Sequence, residues 1–429
     1  MITVNRSVGL PRDDPFAADS LPPGYSYLVD DETHCVIEPA LLWLCHQYPP
    51  ARSMWRPTTV ANAAYDLCDW WRYLAHAGKA WDTADERDLV AYRDSMLHAV
   101  SPRTCEHYDL RSIRRRMGTV VSLYRWAAEN GYYSGRFLDQ QEIRKVVRPI
   151  DADPLAHTSP SVRACRLSRV LPPSTRSADD HVRPLSSKEW ALVSHALGPL
   201  PSELQTGGRP SRDRLGAEIS LWTGLRVDEI AGLTINQVRD LTPDPMEPHA
   251  ALRLRVVRTK GLRPRWVLIP AHLVLELRRY IDGERAECIA VGRRHGLRAN
   301  PESLFVNGNA SRHDAGKPIR AETLSRAFTA AVRTAGLTRS VTKTDPETGA
   351  LYQSAEAAHT FHDARHTFAA WMYHAERAGG NAEPWKIIQA RLGHRQLATT
   401  LNTYLRVVDD YRTEVNLNVY RFLREKFGN

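Results

Sequence analysis

Apolar residues between positions 57 and 131 recur every three or four residues, which is the spacing of one helix face. The pattern predicts a helix starting near residue 57 and two more over about 83–98 and 103–130. Thr58, after Pro57, is placed to cap the first helix, and Gly131 to end the third. The predicted inward positions are Val60, Ala64, Leu67, Trp71 and Leu74, then Leu89, Tyr92 and Met96, then Ile113, Met117, Val120, Tyr124 and Ala127.

The outer face of the third predicted helix is basic. It carries Arg111, Arg114, Arg115 and Arg116. Such a face fits a small helical domain, over residues 49–148, that lies on DNA. A solvated helix surface fits the same pattern equally well.

The segments on either side of this domain have no helical period. Residues 1–34 combine acidic residues with four prolines, which predicts an extended arm within an N-terminal extension over 1–48. Residues 149–184 carry six prolines with many serines and arginines. This composition predicts a linker between two domains.

A second domain is predicted over residues 185–429. Ser186 and Glu189 have the spacing of a capping box, and Leu185 and Trp190 that of its hydrophobic staple. Two period-two segments, 252–257 and 265–269, predict strands joined by a turn at 259–261. Helices are predicted at 187–197, 212–223, 271–290, 321–335, 362–378, 384–392 and 399–409, a polar loop at 338–358 and a tail at 411–429. The fold class is therefore mostly α with a small antiparallel β-sheet.

Composition narrows the class of partner. The chain has 58 Lys and Arg against 49 Asp and Glu, a net charge of +9, which favours a polyanion such as nucleic acid. Six cysteines without a C-x-x-C pair do not form a disulfide scaffold and indicate a reducing, cytoplasmic setting. No apolar run reaches the ~18–20 residues of a membrane span, and the first residues lack the apolar core of a signal peptide.

Four segments concentrate basic and nucleophilic residues. Arg226 follows Gly224 at a predicted helix start, where N–H groups favour an anion; Glu229, three residues on, is an alternative ion-pair partner. Lys260 lies at the predicted hairpin turn, in a stretch from 252 to 268 with six cations and no acid.

The third and fourth segments lie further along the chain. His362, Arg365 and His366 share one helical face, and His366 is expected to pack structurally. His394 follows Gly393, and Tyr404 begins the next predicted helix, where a tyrosine taken alone is most often a core residue.

Taken in order, these segments resemble the tyrosine recombinases, or phage integrases. The residues that carry the resemblance are TGLRVDEIAGL, the TKG turn, HDARHTFA and LGHRQLATTLNTY, and the stretch SPRTCEHYDLRSIRRRMGTVVSLYRWAAENGY resembles the core-binding, SAM-like domain of that family. The resemblance implies an α+β catalytic domain that cleaves and rejoins DNA through a 3′-phosphotyrosine. The implied catalytic residues are Arg226, Lys260, His362, Arg365 and His394, with Tyr404 as the nucleophile.

The resemblance also implies the partners. Double-stranded DNA is the expected substrate, contacted by Arg258, Arg263 and Arg265 of the hairpin as well as by the basic helix. A tetramer on DNA is expected, with the C-terminal tail docking on a neighbour or on its own domain, and accessory recombination proteins are further expected partners. Neither a cofactor nor a metal is required, because arginines stabilise the transition-state charge.

Three other functions fit parts of the sequence. His362 and His366, with His394 as a third ligand, could bind a divalent ion in a hydrolase, although Arg365 between them would oppose a cation. A DNA-binding protein of the same fold without activity would lack the tyrosine or an arginine. A type IB topoisomerase would use the same chemistry without recombination.

Overall fold

The computed structural model describes residues 1–10, 14, 20–50, 55–135, 182–203, 211–257, 264–394, 397, 400, 401 and 404. The chain divides into two units, Met1–Ser177 with Thr342–Tyr352 and Ala178–Val341 with Gln353–Asn429. Helices predominate and the sheets are small, as predicted. Within the described ranges, no helix is long and apolar enough to cross a membrane.

The first unit is a group of helices on one core. Its elements are β1 (Ile2–Arg6), β2 (Ser26–Asp30), β3 (Cys35–Val36), α1 (Glu38–Gln47), α2 (Pro57–His76), α3 (Glu86–His98) and α4 (Leu110–Glu129). Every inward position predicted for the three helices is buried in this core. The helical period alone was therefore enough to identify the packed faces of α2, α3 and α4.

The helix starts differ from the predictions. Helix α2 begins at Pro57 and has no side-chain cap, so the predicted Thr58 cap is wrong; proline suits the first position because its missing N–H has no partner there. Helix α3 begins at Glu86 behind a capping box on Asp85. Helix α4 begins at Leu110 rather than near 103, because a turn closed by the bridge of Val100 with His107 precedes it.

Residues 1–10 and 20–50 are folded, so the predicted extended arm is wrong over the described part of residues 1–34. Strands β1, β2 and β3 form an antiparallel sheet, with Ile2 opposite Asp30. The Ile2 carbonyl accepts hydrogen bonds from Cys68 Sγ at 3.3 Å and Arg72 Nε at 2.8 Å. Tyr25 and Leu28 are fully buried with the helices, so this segment shares their core and is no separate extension.

The second unit is built from short helices around two small sheets. Its elements are α5 (Ser187–Leu197), α6 (Arg212–Thr223), α7 (Val227–Ala231), α8 (Ile235–Arg239), β4 (Ala251–Val256), β5 (Arg265–Pro270), α9 (Ala271–Asp282), α10 (Glu284–Arg294), α11 (Ala321–Thr334), β6 (Thr338–Thr344), β7 (Leu351–Ala357), α12 (Phe361–Ala378) and α13 (Trp385–Leu392). Residues 342–344 of β6 and 351–352 of β7 are assigned to the first unit. The predicted capping box of Ser186 and Glu189 is present. Strands β4 and β5 pair antiparallel, with Leu254 opposite Val267, and both of these side chains are buried.

Two predicted elements of this unit need correction. The single helix over 271–290 is two helices, because the backbone at Gly283 (φ −99°, ψ −104°) is not helical. The polar loop over 338–358 contains the paired strands β6 and β7. Their side chains are largely exposed, so no apolar alternation marked them in the sequence.

Several predictions fall outside the described residues. These are the hairpin turn at 259–261, the tail at 411–429 and most of the linker at 149–184, of which only 182–184 are described. The helix predicted at 399–409 is described at residues 400, 401 and 404, which are helical.

Candidate active site

The first part of the site is the turn between α6 and α7. Helix α6 ends at Gly224 in the left-handed conformation (φ 68°), and a Cβ there would lie 2.5 Å from Cδ1 of Phe368. Glycine is required on both counts. The turn leaves Arg226 at the start of α7, with its side chain about a quarter exposed.

Glu229 joins this turn to strand β5. Its carboxylate accepts two hydrogen bonds from the guanidinium of Arg265, at 2.5 and 2.7 Å, and lies 3.6 Å from Arg226 Nη1. Burial alone would raise the pKa of Glu229, but the two arginines and the Arg226 backbone N–H hold it below its usual value. The guanidinium of Arg265, at the start of β5, thus forms a two-pronged ion pair with Glu229. Its predicted contact with DNA stays a prediction.

Arg365 lies at the centre of the site and is 1% exposed. It donates through Nη1 to the Gly224 carbonyl, and through Nη2 to the Leu392 carbonyl at 2.7 Å and to His394 Nε2 at 3.3 Å. Burial first, and then the nearby charge of Arg226, lower the pKa of Arg365 to about 9. Arg365 therefore remains a cation at neutral pH, held between the C-terminal ends of α6 and α13.

His394 follows α13, which ends at Gly393 in the left-handed conformation (φ 67°). Its Nδ1 lies 2.9 Å from Thr400 Oγ1. Because Arg365 can only donate to Nε2, the ring proton is on Nδ1 and is donated to Thr400. Burial and the Arg365 charge lower the pKa of His394 to about 4, so the ring is neutral near pH 7.

Tyr404 lies in this same unit with its ring buried (1% exposed). Its hydroxyl is 2.9 Å from Nδ1 of His366, which was predicted to have only a packing role. Sequence reasoning missed this contact, although the position of His366 one turn after His362 was visible. The structure therefore brings Arg226, Arg365, His394 and Tyr404 together and adds His366; the catalytic roles predicted for the first four stay predictions.

His362 lies at the exposed start of α12. Its ring meets that of His366 edge-on, with the centroids 4.5 Å apart. Helix α12 is fixed at this end by a capping box of Thr360 and Asp363. The predicted catalytic role of His362 stays a prediction.

Other predicted contacts are placed differently or not at all. Lys260, Arg258 and Arg263 lie outside the described residues. On α4, Arg115 forms an ion pair with buried Asp66 and Arg116 one with Asp69; Arg116 also lies 4.6 Å above the Tyr108 ring. Arg111 is 3.4 Å from Asp109. The role predicted for these arginines and Arg114 on DNA stays a prediction, and the paired ones would have to exchange carboxylates for phosphates.

The metal alternative finds no geometric support in the described residues. Nowhere among them do three His, Cys, Asp or Glu side chains form a group that could hold a metal ion. The Nδ1 atoms of His366 and His394 are both within hydrogen-bond distance of hydroxyl groups.

Comparison with known proteins identifies relatives for both units. The model of the phage integrase family matches residues 199–410, and that of the phage integrase N-terminal SAM-like domain matches residues 51–131. Tyrosine recombinase XerD of Lacticaseibacillus casei is 26% identical over 189 residues, which are 44% of this chain and 48% of XerD, so the match spans about half of that relative.

Among solved structures, a XerH site-specific recombinase bound to palindromic difH substrate, in a post-cleavage complex, has a similar fold. The TM-score is 0.51 at 16% identity, over 85% of this chain and 80% of the other. At this identity the likeness concerns the fold alone.

Proposed function

The chain belongs to the phage integrase family of site-specific tyrosine recombinases, and we propose that it cleaves and rejoins double-stranded DNA through a covalent 3′-phosphotyrosyl bond to Tyr404. The observation that carries the proposal is the convergence of Tyr404 with two arginines in one unit. The Tyr404 hydroxyl contacts His366, the neighbour of Arg365 on α12, and Arg365 donates to the Gly224 carbonyl in the turn that carries Arg226. Burial raises the pKa of Tyr404 to about 12, and the charges of Arg365 and Arg226 act against that effect.

Arg365 suits the binding of a scissile phosphate. A guanidinium has five N–H groups, and the contacts of Arg365 described above use three of them. Two are left to donate to the non-bridging oxygens, where negative charge grows in the transition state. Arg226, partly exposed at the start of α7, is the second donor to the same phosphate.

Lys260 is the proposed general acid, on the grounds of its place in the TKG motif. The departing 5′ oxygen needs a proton because an alkoxide is a poor leaving group. We expect Lys260→Ala to cleave ordinary DNA poorly and to recover on DNA whose 5′ bridging oxygen is sulfur, since a thiolate leaves unprotonated. Arg226→Ala, which affects the non-bridging oxygens, should not recover. If cleavage of the sulfur-containing DNA recovered in Arg258→Ala or Arg263→Ala but not in Lys260→Ala, the general acid would be that arginine.

The proposed assembly is a tetramer on DNA in the cytoplasm, because exchange between two duplexes requires four cleaved strands. The solved XerH relative is a complex with its DNA substrate, which supports DNA as the partner here. Accessory recombination proteins and tail docking belong to the same proposal. Deletion of residues 412–429 should abolish synapsis while leaving single-site binding intact.

The test selects the DNA site and traps the covalent adduct in one step. The full chain is incubated with a pool of nicked duplexes of randomised sequence. After cleavage the short fragment next to the nick diffuses away, so the strand cannot be rejoined and the covalent adduct accumulates. Wild-type protein should accumulate a covalent adduct on a subset of sequences, and Tyr404→Phe should bind the same duplexes without forming one. An adduct on Tyr404→Phe would refute the assignment. Supercoil relaxation without recombination at the selected site would instead indicate a topoisomerase.

A further inference from the structure

The contact between His366 and Tyr404 has a chemical consequence beyond packing. The Nδ1 atom of His366 is 2.9 Å from the Tyr404 hydroxyl oxygen, and the two rings meet at 62° with centroids 5.4 Å apart. Tyr404 packs with Ala369, Ile388 and Leu392, which hold its ring against α12. The hydroxyl is thus directed at one specific nitrogen by apolar packing on the other sides of the ring.

We propose that His366 is a further catalytic residue, which holds the Tyr404 hydroxyl through Nδ1 and takes its proton when that oxygen attacks the DNA phosphate. The proposal rests on the proposed function, since it concerns the same nucleophile. It gives the proton-accepting role to the second histidine of the HDARH segment, whereas the sequence pattern indicated His362.

Burial and the charges around His366 keep its ring neutral. Burial is the main cause that lowers its pKa, to about 3, followed by His362 and Arg365 of the same helix and His394 after α13. Among the described residues, Tyr404, with its pKa of about 12, also faces the ring. In the resting protein the proton therefore stays on the phenol, and a neutral imidazole can accept a hydrogen bond from it.

The proton moves only as the phenol attacks, because the oxygen becomes acidic as it gives electron density to phosphorus. The bond from Tyr404 Oη to phosphorus forms, and the bond from phosphorus to the 5′ oxygen breaks. The phenol proton passes to His366 Nδ1, and the leaving 5′ oxygen takes a proton from the general acid. Religation reverses each transfer, with His366 returning its proton to Tyr404.

The experiment compares three variants on α12. His366→Asn places an acceptor oxygen near the Nδ1 position, so it can accept the hydrogen bond but cannot take the proton. His366→Phe fills the space but can neither accept the hydrogen bond nor take the proton. His374→Asn is the matched control, because it removes another imidazole of the same helix two turns on. Each protein is mixed with duplexes selected by the wild-type chain, and the single-turnover rate of adduct formation is measured from pH 6 to 9.

Wild-type and His374→Asn rates should be nearly independent of pH between 6 and 8, and both should fall near pH 9 as Arg365 loses its proton. His366→Asn should be about 100-fold slower at pH 7, and its rate should rise with pH because hydroxide or water must take the proton. His366→Phe should be slower still. A His366→Asn profile parallel to that of the wild type would overturn the proposal, since loss of packing alone lowers a rate without changing its pH dependence.

A measurement without DNA tests the hydrogen bond separately. In protein labelled with ¹⁵N-histidine, His366, assigned by its loss in His366→Asn, should show protonated Nε2 and unprotonated Nδ1, and Tyr404→Phe should shift the Nδ1 signal. The opposite tautomer would overturn the proposal even in an active enzyme. If the wild-type chain captured no duplex, the proposed function and the proton transfer would both fail, whereas an active wild type with unaffected His366 variants would refute the transfer alone.

Discussion

The arginines of α4 and those of the candidate active site differ in what neutralises them. On α4, Arg115 and Arg116 each face a carboxylate, and Asp66 is almost fully buried beneath Arg115. In the site, the described partners of Arg365 are two backbone carbonyls and a neutral histidine. The first arrangement cancels the cation within the protein, whereas the second holds it in place and leaves its charge for a ligand.

In the candidate active site, leaving the Arg365 charge without a counterion costs folding free energy. On α4, the ion pairs avoid that cost. A buried cation beside a second cation is poorly solvated, which explains the lowered pKa of Arg365. Partial dipoles of carbonyl oxygens orient such a group without neutralising it. We infer that the stability of the first unit and the anion affinity of the second depend on different arginines, and substitutions can separate the two.

The largest effect is expected for Arg365→Met, which keeps the length of the side chain and removes the charge. Loss of its donors to the phosphate should lower the single-turnover rate of adduct formation by about 100- to 1,000-fold. The free energy of unfolding should change by less than about 1 kcal/mol, because the freed carbonyls lose a donor while a buried charge disappears. A denaturant titration measures the stability beside the rate. A large fall in stability with a normal rate would mean that Arg365 stabilises the fold and does not serve the reaction.

Glu229→Gln should have the next largest effect. The amide cannot hold Arg265 in two charge-assisted hydrogen bonds, so Arg226 shifts, and a shift of about 1 Å costs up to about 100-fold in rate. The lowered pKa of Glu229 means that its ionised form stabilises the fold above its unfolded pKa of about 4.3. That stabilisation is lost as pH falls through the lower folded pKa.

The stability deficit of Glu229→Gln should therefore be present at pH 7 and disappear in acid. Unfolding midpoints of wild type and variant, measured from pH 7 down to about 3, should converge. A constant difference over that range would mean that the Glu229 charge contributes nothing.

Gly224→Ala tests whether the carbonyl that holds Arg365 must stay in place. Its Cβ would lie 2.5 Å from Phe368 in a left-handed backbone, which should cost about 2 kcal/mol and slow adduct formation by less than about tenfold. Gly336→Ala is the matched control: its φ is 75° and no atom lies within 4 Å of the new Cβ. It should cost about 1 kcal/mol and leave the rate unchanged. Equal rates of adduct formation for the two variants would show that a displaced Gly224 carbonyl does not impair Arg365.

What the sequence could predict depended on how far apart the interacting residues lie along the chain. The inward faces of α2 and α4 follow from local periodicity, and all of them are buried as predicted. The turn at Arg226 and the histidine after Gly393 follow from local glycine signals. Strands β6 and β7 escaped prediction because both are mostly exposed and carry no apolar alternation.

Contacts between distant segments could not be predicted. The ion pair of Glu229 with Arg265 spans 36 residues, and the contact of His366 with Tyr404 spans 38. Each depends on how two elements pack, which spacing does not encode. Sequence reasoning therefore identified the residues around Arg365 but not the ion pair of Arg265 with Glu229 or the contact of His366 with the Tyr404 hydroxyl.

The smallest effect is expected for Arg115→Met, the counterpart of Arg365→Met on α4. Thr119 still donates to Asp66 at 3.0 Å, so removing Arg115 should cost only about 1 kcal/mol of unfolding free energy. The pKa of Asp66 is already raised, mainly by burial, and should rise further without Arg115. An acid with a raised folded pKa destabilises the fold as pH rises through that pKa, so the deficit should be largest at neutral pH and vanish near pH 4.

The same variant decides whether Arg115 contacts DNA. An arginine that stays with Asp66 releases no counterion, so its loss should change the slope of log affinity against log salt by less than about 0.5. A phosphate contact would lower the slope by about 1. The rate of adduct formation at saturating DNA should equal that of the wild type in either case, because the altered arginine belongs to the other unit. A slope change of a full unit would mean that Arg115 exchanges Asp66 for a phosphate on binding, and that this α4 arginine contacts DNA, as proposed for Arg365.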